Sequence, residues 1–223
     1  MGISKKELAK IMDHTLVKPI ATREDVERLC GEAEKHGFGC ACVNLTYVSL
    51  AAQLLKGTNV KVCSTIGFPY GITLPEVKAF EAEKAVENGA RELDMVINLS
   101  ALKSRDYETV RKDIGMVVNV KRSCEDVLVK VIIEVGLLTD EEKVLACKIV
   151  KEAGADFVKT STGLAGGATM EDVQLMRETV GKDMGVKAAG GIRTLKDVLA
   201  MIRAGANRIG TSAAVAIIEE FSE

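Results

Sequence analysis

Short apolar runs alternate with longer, charged amphipathic stretches from one end of the chain to the other. The runs cover residues 13–17, 40–43, 60–66, 92–97, 128–135, 157–160, 186–189 and 208–210, and Val, Ile and Met are prominent in them. Each is too short for a core helix and is bounded by turn residues, so each predicts a buried strand. The stretches between them repeat their apolar positions at helical spacing and predict helices.

Helix starts and stops are also readable. Thr22, Thr73, Thr139, Thr169 and Thr194 each stand three residues before an acid, at Asp25, Glu76, Glu142, Asp172 and Asp197. In that pattern the threonine oxygen accepts from an orphan amide and the carboxylate reaches back to the cap. Pro75 suits a first turn, where its missing N–H does no harm. Gly37, Gly57, Gly89, Gly154, Gly181 and Gly205 stand where the helices should end. Three of them, at 89, 154 and 205, precede an alanine that leads straight into a strand, which marks a repeated αβ junction. Eight strand–helix units in series, after a short N-terminal helix, predict an α/β fold: a TIM (β/α)8 barrel formed by residues 1–223 as one domain. An open doubly wound sheet is the alternative, but no dinucleotide fingerprint follows the first strand.

Composition narrows the partners. The 223 residues are 47% hydrophobic and 28% charged, with a net charge of -2. That balance offers no basic footprint for nucleic acid and none for an acidic membrane surface. No apolar stretch reaches the length of a membrane span, and Met1–Lys6 lacks the apolar core of a signal peptide. Six cysteines, at 30, 40, 42, 63, 124 and 147, form no Cys-x-x-Cys pair. They read as reduced, mostly buried thiols of a cytoplasmic protein, and no metal site is expected.

Lysines inside apolar strands change the picture. Lys159 sits in Val158-Lys159-Thr160-Ser161-Thr162-Gly163 and Lys187 in Val186-Lys187-Ala188-Ala189-Gly190-Gly191. A buried lysine must be paired or must shed its proton, and a neutral amine is a nucleophile for carbonyl carbon. An ordinary lysine is neutral in about one molecule in 2500 at pH 7, and a neighbouring ammonium raises that fraction. Asp94, in Leu93-Asp94-Met95-Val96-Ile97-Asn98, belongs to the fourth unit and is placed to balance charge and carry protons. All three fall where the mouth of a barrel would be. Lys130 and Glu134 share strand parity and predict a further buried pair. Gly190-Gly191-Ile192-Arg193 and Gly210-Thr211-Ser212-Ala213 follow the seventh and eighth strands, the usual barrel site for phosphate. Gly163, Gly166 and Gly167 predict a mobile sixth loop able to close over a substrate.

Together with Asp13-His14-Thr15, these motifs resemble the deoxyribose-phosphate aldolase family over residues 8–215. The resemblance implies a metal-independent class I lyase without a cofactor. Such a lyase cleaves 2-deoxy-D-ribose 5-phosphate reversibly to acetaldehyde and D-glyceraldehyde 3-phosphate, in deoxynucleoside catabolism. It implies Lys159 as the Schiff-base lysine, Lys187 as the group that depresses its basicity and Asp94 in proton transfer. Asp13 would support the network. Thr15, Thr162, Gly163, Gly190, Gly191, Gly210 and Ser212 would hold substrate and phosphate. It also implies a homodimer or homotetramer. The chain departs from the pattern at Leu164, where some relatives carry a phosphate-binding lysine, at Leu45, which replaces a proline, and in its tail, which has no tyrosine. Cys42 is expected near the strand mouth, as a packed thiol or one reactive toward unsaturated aldehydes. Other Schiff-base barrel enzymes, and a non-catalytic sugar-phosphate binder, are the competing readings.

Overall fold

A computed structural model describes residues 3–122, 124 and 126–221. Met1–Gly2 and the final Ser222–Glu223, which bear on the expectations about the two termini, lie outside them.

Eight parallel strands pair in chain order and close, with β1 hydrogen-bonded to β8. They are β1 (Met12–Leu16), β2 (Cys40–Val43), β3 (Lys61–Ile66), β4 (Glu92–Val96), β5 (Leu128–Ile132), β6 (Phe157–Lys159), β7 (Gly185–Ala189) and β8 (Arg208–Thr211). The helices are α1 (Lys5–Lys10), α2 (Arg23–His36), α3 (Val48–Leu54), α4 (Pro75–Glu87), α5 (Leu99–Lys103), α6 (Tyr107–Val118), α7 (Asp140–Glu152), α8 (Met170–Val180), α9 (Leu195–Ala204) and α10 (Ala214–Glu219). The closed barrel excludes the open sheet. Among the described residues, no helix is long and apolar enough to cross a membrane.

The caps explain why the helices begin where they do. Thr22, Thr139 and Thr194 form complete capping boxes with Asp25, Glu142 and Asp197, and Thr169 accepts from the Asp172 amide. Each such cap is worth about 1 kcal/mol. Thr73 does not cap. The residue before α4 is Leu74, and Pro75 opens the helix without a side-chain cap. The fifth strand also ends early. It stops at Ile132, and Glu134 turns the chain in the left-handed region at φ 56°.

Strand alternation sorts the side chains into two cores. Leu93, Met95, Val129, Val131, Val158, Val186 and Ile209 point outward into a continuous apolar shell shared with the helices. Many inward positions are polar or charged. Asp13, Cys40, Cys42, Cys63, Glu92, Asp94, Lys130, Lys159 and Lys187 are all buried. The apolar shell holds the barrel closed, and the barrel holds these groups together. Outside the barrel, Lys78 pins α4 to the sheet by reaching the Val96 carbonyl at 2.8 Å and Asp113 at 2.6 Å.

Candidate active site

Asp94 is the hub of the interior. Its Oδ2 accepts from Lys159 Nζ at 2.6 Å and from Lys187 Nζ at 2.6 Å. Its Oδ1 accepts from Lys130 Nζ at 2.9 Å and lies 3.3 Å from Cys63 Sγ. Lys187 bonds a second carboxylate, Asp13. Lys130 bonds Glu92 at 2.6 Å, and Arg208 joins Glu92 to Asp13 from below, its Nε 3.4 Å from Asp13 Oδ1. Strand β4 supplies Oδ2, and β6 and β7 supply the two nitrogens that meet at it. Side chains from β4 and β7, which are not neighbours, meet only across the interior of a closed barrel.

Burial alone would neutralise every member of this network, but the pairing reverses the result. Burial pushes the Asp94 carboxyl up, yet Lys130, Lys159 and Lys187 outweigh it and hold it well below the usual carboxylate range. Asp13 is held down against burial by Lys187, Lys130 and Arg208. Burial works against the Lys187 ammonium, but Asp13 and Asp94 raise its pKa above the ordinary lysine value. Lys187 is therefore a fixed cation at neutral pH, and Asp94 a fixed anion.

A cavity of about 280 Å³ opens above this network at the C-terminal ends of the strands. Lys159 lines it and retains 5% exposure, whereas Lys130 and Lys187 are at 0%. All seven residues expected to hold substrate or phosphate, Thr15, Thr162, Gly163, Gly190, Gly191, Gly210 and Ser212, line the same cavity. Asp13, Asp94 and Lys187 lie beneath it. Two glycines are required by close approach. At Gly190, with φ 91°, a Cβ would lie 3.0 Å from the Gly167 Cα, because the loops after β6 and β7 touch backbone to backbone. At Gly210 a Cβ would lie 2.9 Å from Lys187 Cε and would displace the lysine.

A model of the DeoC/LacD family of aldolases matches residues 8–218. The deoxyribose-phosphate aldolase of Clostridium tetani is 59% identical over 215 residues, 96% of this chain and 99% of its own length. That of Thermoanaerobacter sp. (strain X514) is 57% identical over 217 residues, 97% of each chain. Among solved structures, the tetrameric deoxyribose phosphate aldolase of Aeropyrum pernix superimposes with a TM-score of 0.91 at 40% identity, covering 98% of this chain and 92% of its own.

Several contacts were not anticipated from the sequence. Glu92 and Arg208 extend the interior network, and their signal was strand parity: Glu92 stands two residues before Asp94, and Arg208 two before Gly210. Lys18 and Arg193 line the cavity with exposed side chains, each in the loop after a strand. Leu164 is exposed, so these two residues place positive charge at the cavity instead. The predicted Lys130–Glu134 pair does not form. The left-handed turn at Glu134 swings its carboxylate to the loop after β6, where both oxygens accept from the Thr162 amide at 3.2 Å and one accepts from the Thr162 hydroxyl. Thr162 therefore shapes the cavity wall with its donors already engaged. Glu134→Ala should speed hydrogen exchange at the Thr162 amide about tenfold, the loss of one hydrogen bond to a charged acceptor. Unchanged exchange would show that Glu134 does not hold the loop.

Proposed function

The chain belongs to the DeoC/LacD family of aldolases, and from that premise we infer that it cleaves 2-deoxy-D-ribose 5-phosphate reversibly to acetaldehyde and D-glyceraldehyde 3-phosphate. The observation that supports this chemistry most directly is the single Asp94 oxygen shared by Lys159 and Lys187.

Lys159 is assigned as the Schiff-base lysine. The two nitrogens are no more than twice 2.6 Å apart. Two ammonium ions at about 5 Å repel by roughly 3 kcal/mol at an effective dielectric of ~20. Release of one proton relieves that repulsion. Lys187 keeps its proton because it holds two carboxylates. Lys159 holds only the shared oxygen and faces the cavity. Its amine attacks the C1 aldehyde of the open-chain sugar, and loss of water leaves an iminium.

The iminium then draws the electrons of the C2–C3 bond. A base takes the proton of the C3 hydroxyl, D-glyceraldehyde 3-phosphate departs, and an enamine remains. Protonation at C2 and hydrolysis release acetaldehyde and restore the amine. Because the iminium is the electron sink, this route needs no metal to stabilise an enolate. Asp94 Oδ2 lies 2.6 Å from Lys159 Nζ, so a proton passes between Lys159 and Asp94 with little movement of heavy atoms. Its depressed pKa means that protonated Asp94 exists only in passing, which suits a carrier. Asp94 lies below the cavity, so it reaches the C3 hydroxyl through a water. Asp13 holds Lys187 in place. The phosphate is assigned to the loops after β7 and β8, with Gly190, Gly191, Gly210 and Ser212 at the backbone and Lys18 and Arg193 supplying charge. Such chemistry fits a cytoplasmic enzyme that acts on small molecules and uses neither nucleic acid nor membrane.

An assembly of identical chains is also assigned. Tyr70, Ile72, Leu74, Val77 and Phe80 form an exposed apolar row along the loop after β3 and α4. A second copy of the chain is the occupant best matched to such a row. Light scattering should give a multiple of the monomer mass, reduced in Phe80→Glu. A monomeric wild type would remove the assignment.

The chemical test is borohydride reduction in the presence of acetaldehyde, followed by peptide mass mapping. The expected product is an ethyl group on Lys159, lost in Lys159→Leu. An adduct confined to Lys187 would reverse the roles. Sugar-phosphate binding with no adduct and no turnover would favour the non-catalytic binder.

A further inference from the structure

Three thiols stand inside the barrel and take no part in the aldol chemistry. Cys40, Cys42 and Cys63 form a separate cluster, all fully buried. Cys42 is directly opposite Cys63 in the parallel ladder, on the same inward face. Cys40 is opposite Lys61, one diagonal step away. Cys63 is tied to the catalytic network, with Sγ 3.3 Å from Asp94 Oδ1 and 3.6 Å from Lys130 Nζ. Cys42 lines the substrate cavity beside Lys159.

We propose that Cys42 and Cys63 are a redox modification site, closing a reversible disulfide when a hydroperoxide enters the substrate cavity, and that the closed form is inactive. Distance selects the pair. Directly opposed residues on neighbouring strands lie about 4.8 Å apart, inside the Cα range that a disulfide spans. A diagonal pair lies about 7–8 Å apart, outside it, so Cys40 is excluded as the partner of Cys63. Access selects the first sulfur to react, because Cys42 is the one in the cavity wall.

The surroundings supply the reactivity. Burial and the Asp94 carboxylate oppose a thiolate at Cys63, but the neighbouring Cys40 and Cys42 thiols and the Lys130 ammonium outweigh them, and the thiol is held well below the ordinary cysteine value. Cys42, which donates to Cys63, is pushed up by that bond and by burial. The Cys42 sulfur attacks one peroxide oxygen, the O–O bond breaks, and the departing oxygen takes the Cys42 proton and leaves as water, giving a sulfenic acid. The Cys63 thiolate then attacks the Cys42 sulfur. The S–S bond forms, the S–O bond breaks, and the oxygen leaves as hydroxide. The two sulfurs lose two electrons, and the peroxide is reduced to hydroxide and water.

Closure changes the site in two ways. Cys63 can no longer offset the charge of Lys130, and Cys42 turns out of the cavity wall toward its neighbour. Turnover should fall about tenfold or more, the consequence of losing a contact to a buried charged group.

The test treats the intact protein with hydrogen peroxide, under non-reducing conditions, and maps it by mass. The expected product is a linked pair of tryptic peptides, 36–56 joined to 62–78, with loss of two hydrogens. It should form in Cys40→Ser and be absent in Cys42→Ser. The mass readout does not depend on the aldolase reading. Where turnover is present, peroxide should lower it about tenfold or more in step with the linkage, and dithiothreitol should restore it. Cys42→Ser should keep most of its own untreated rate at the same dose. Inactivation without the linked peptides, linkage through Cys40, or equal inactivation of Cys42→Ser would overturn the proposal.

Discussion

One carboxylate oxygen serves two lysines, and much of the molecule is arranged to make that tolerable. Removing Asp94, Lys159 and Lys187 from water is costly, and only complete pairing offsets it. Asp94 therefore carries two further neighbours, Lys130 and Cys63, and Lys187 has a second anion in Asp13. Deleting the hub would strip Lys159 of its carboxylate partner, while Lys187 keeps Asp13 and Lys130 keeps Glu92, a loss of about 3–5 kcal/mol for a broken buried pair. The same arrangement that stabilises Lys187 as a cation with two carboxylates leaves Lys159 with only the shared oxygen, facing the cavity. Stability and reactivity thus come from one unequal sharing.

That sharing depends on the barrel. Few folds place side chains from β1, β4, β5, β7 and β8 within hydrogen-bond reach of each other. Closure does so here because each strand presents alternate residues inward, while the apolar residues between them seal the shell against the helices. The usual order of a globular protein is locally inverted, with a charged centre inside an apolar wall. Gly210 belongs to the same design, since only a residue without a side chain leaves Lys187 its path to Asp94.

The legible part of the sequence was local and periodic. Strand count, most of the threonine caps and the inward parity of Lys159 follow from spacings of two, three and four residues. The cavity-lining glycines followed from their position after β6, β7 and β8. What escaped was set by geometry across the barrel. Nothing near Glu92 or Arg208 announces that they face each other, because they stand 116 residues apart in the chain. Glu134 escaped for another reason. Parity held only while the strand continued, and a left-handed turn at a residue other than glycine ended it without a sequence signal. Thr73 had the right spacing, but the chain enters α4 one residue later, at Leu74 and Pro75.

The central claim is that Lys187, through the shared Asp94 oxygen, keeps Lys159 ready to lose its proton. The most direct measurement is the pH at which reductive trapping of acetaldehyde on Lys159 is half-maximal, in the wild type and in Lys187→Met. Removing the neighbouring cation leaves the Asp94 Oδ2 oxygen to Lys159 alone and ends the ammonium–ammonium repulsion, so the half-maximal point should move to higher pH. A midpoint that stays in place, or moves to lower pH, would contradict the account.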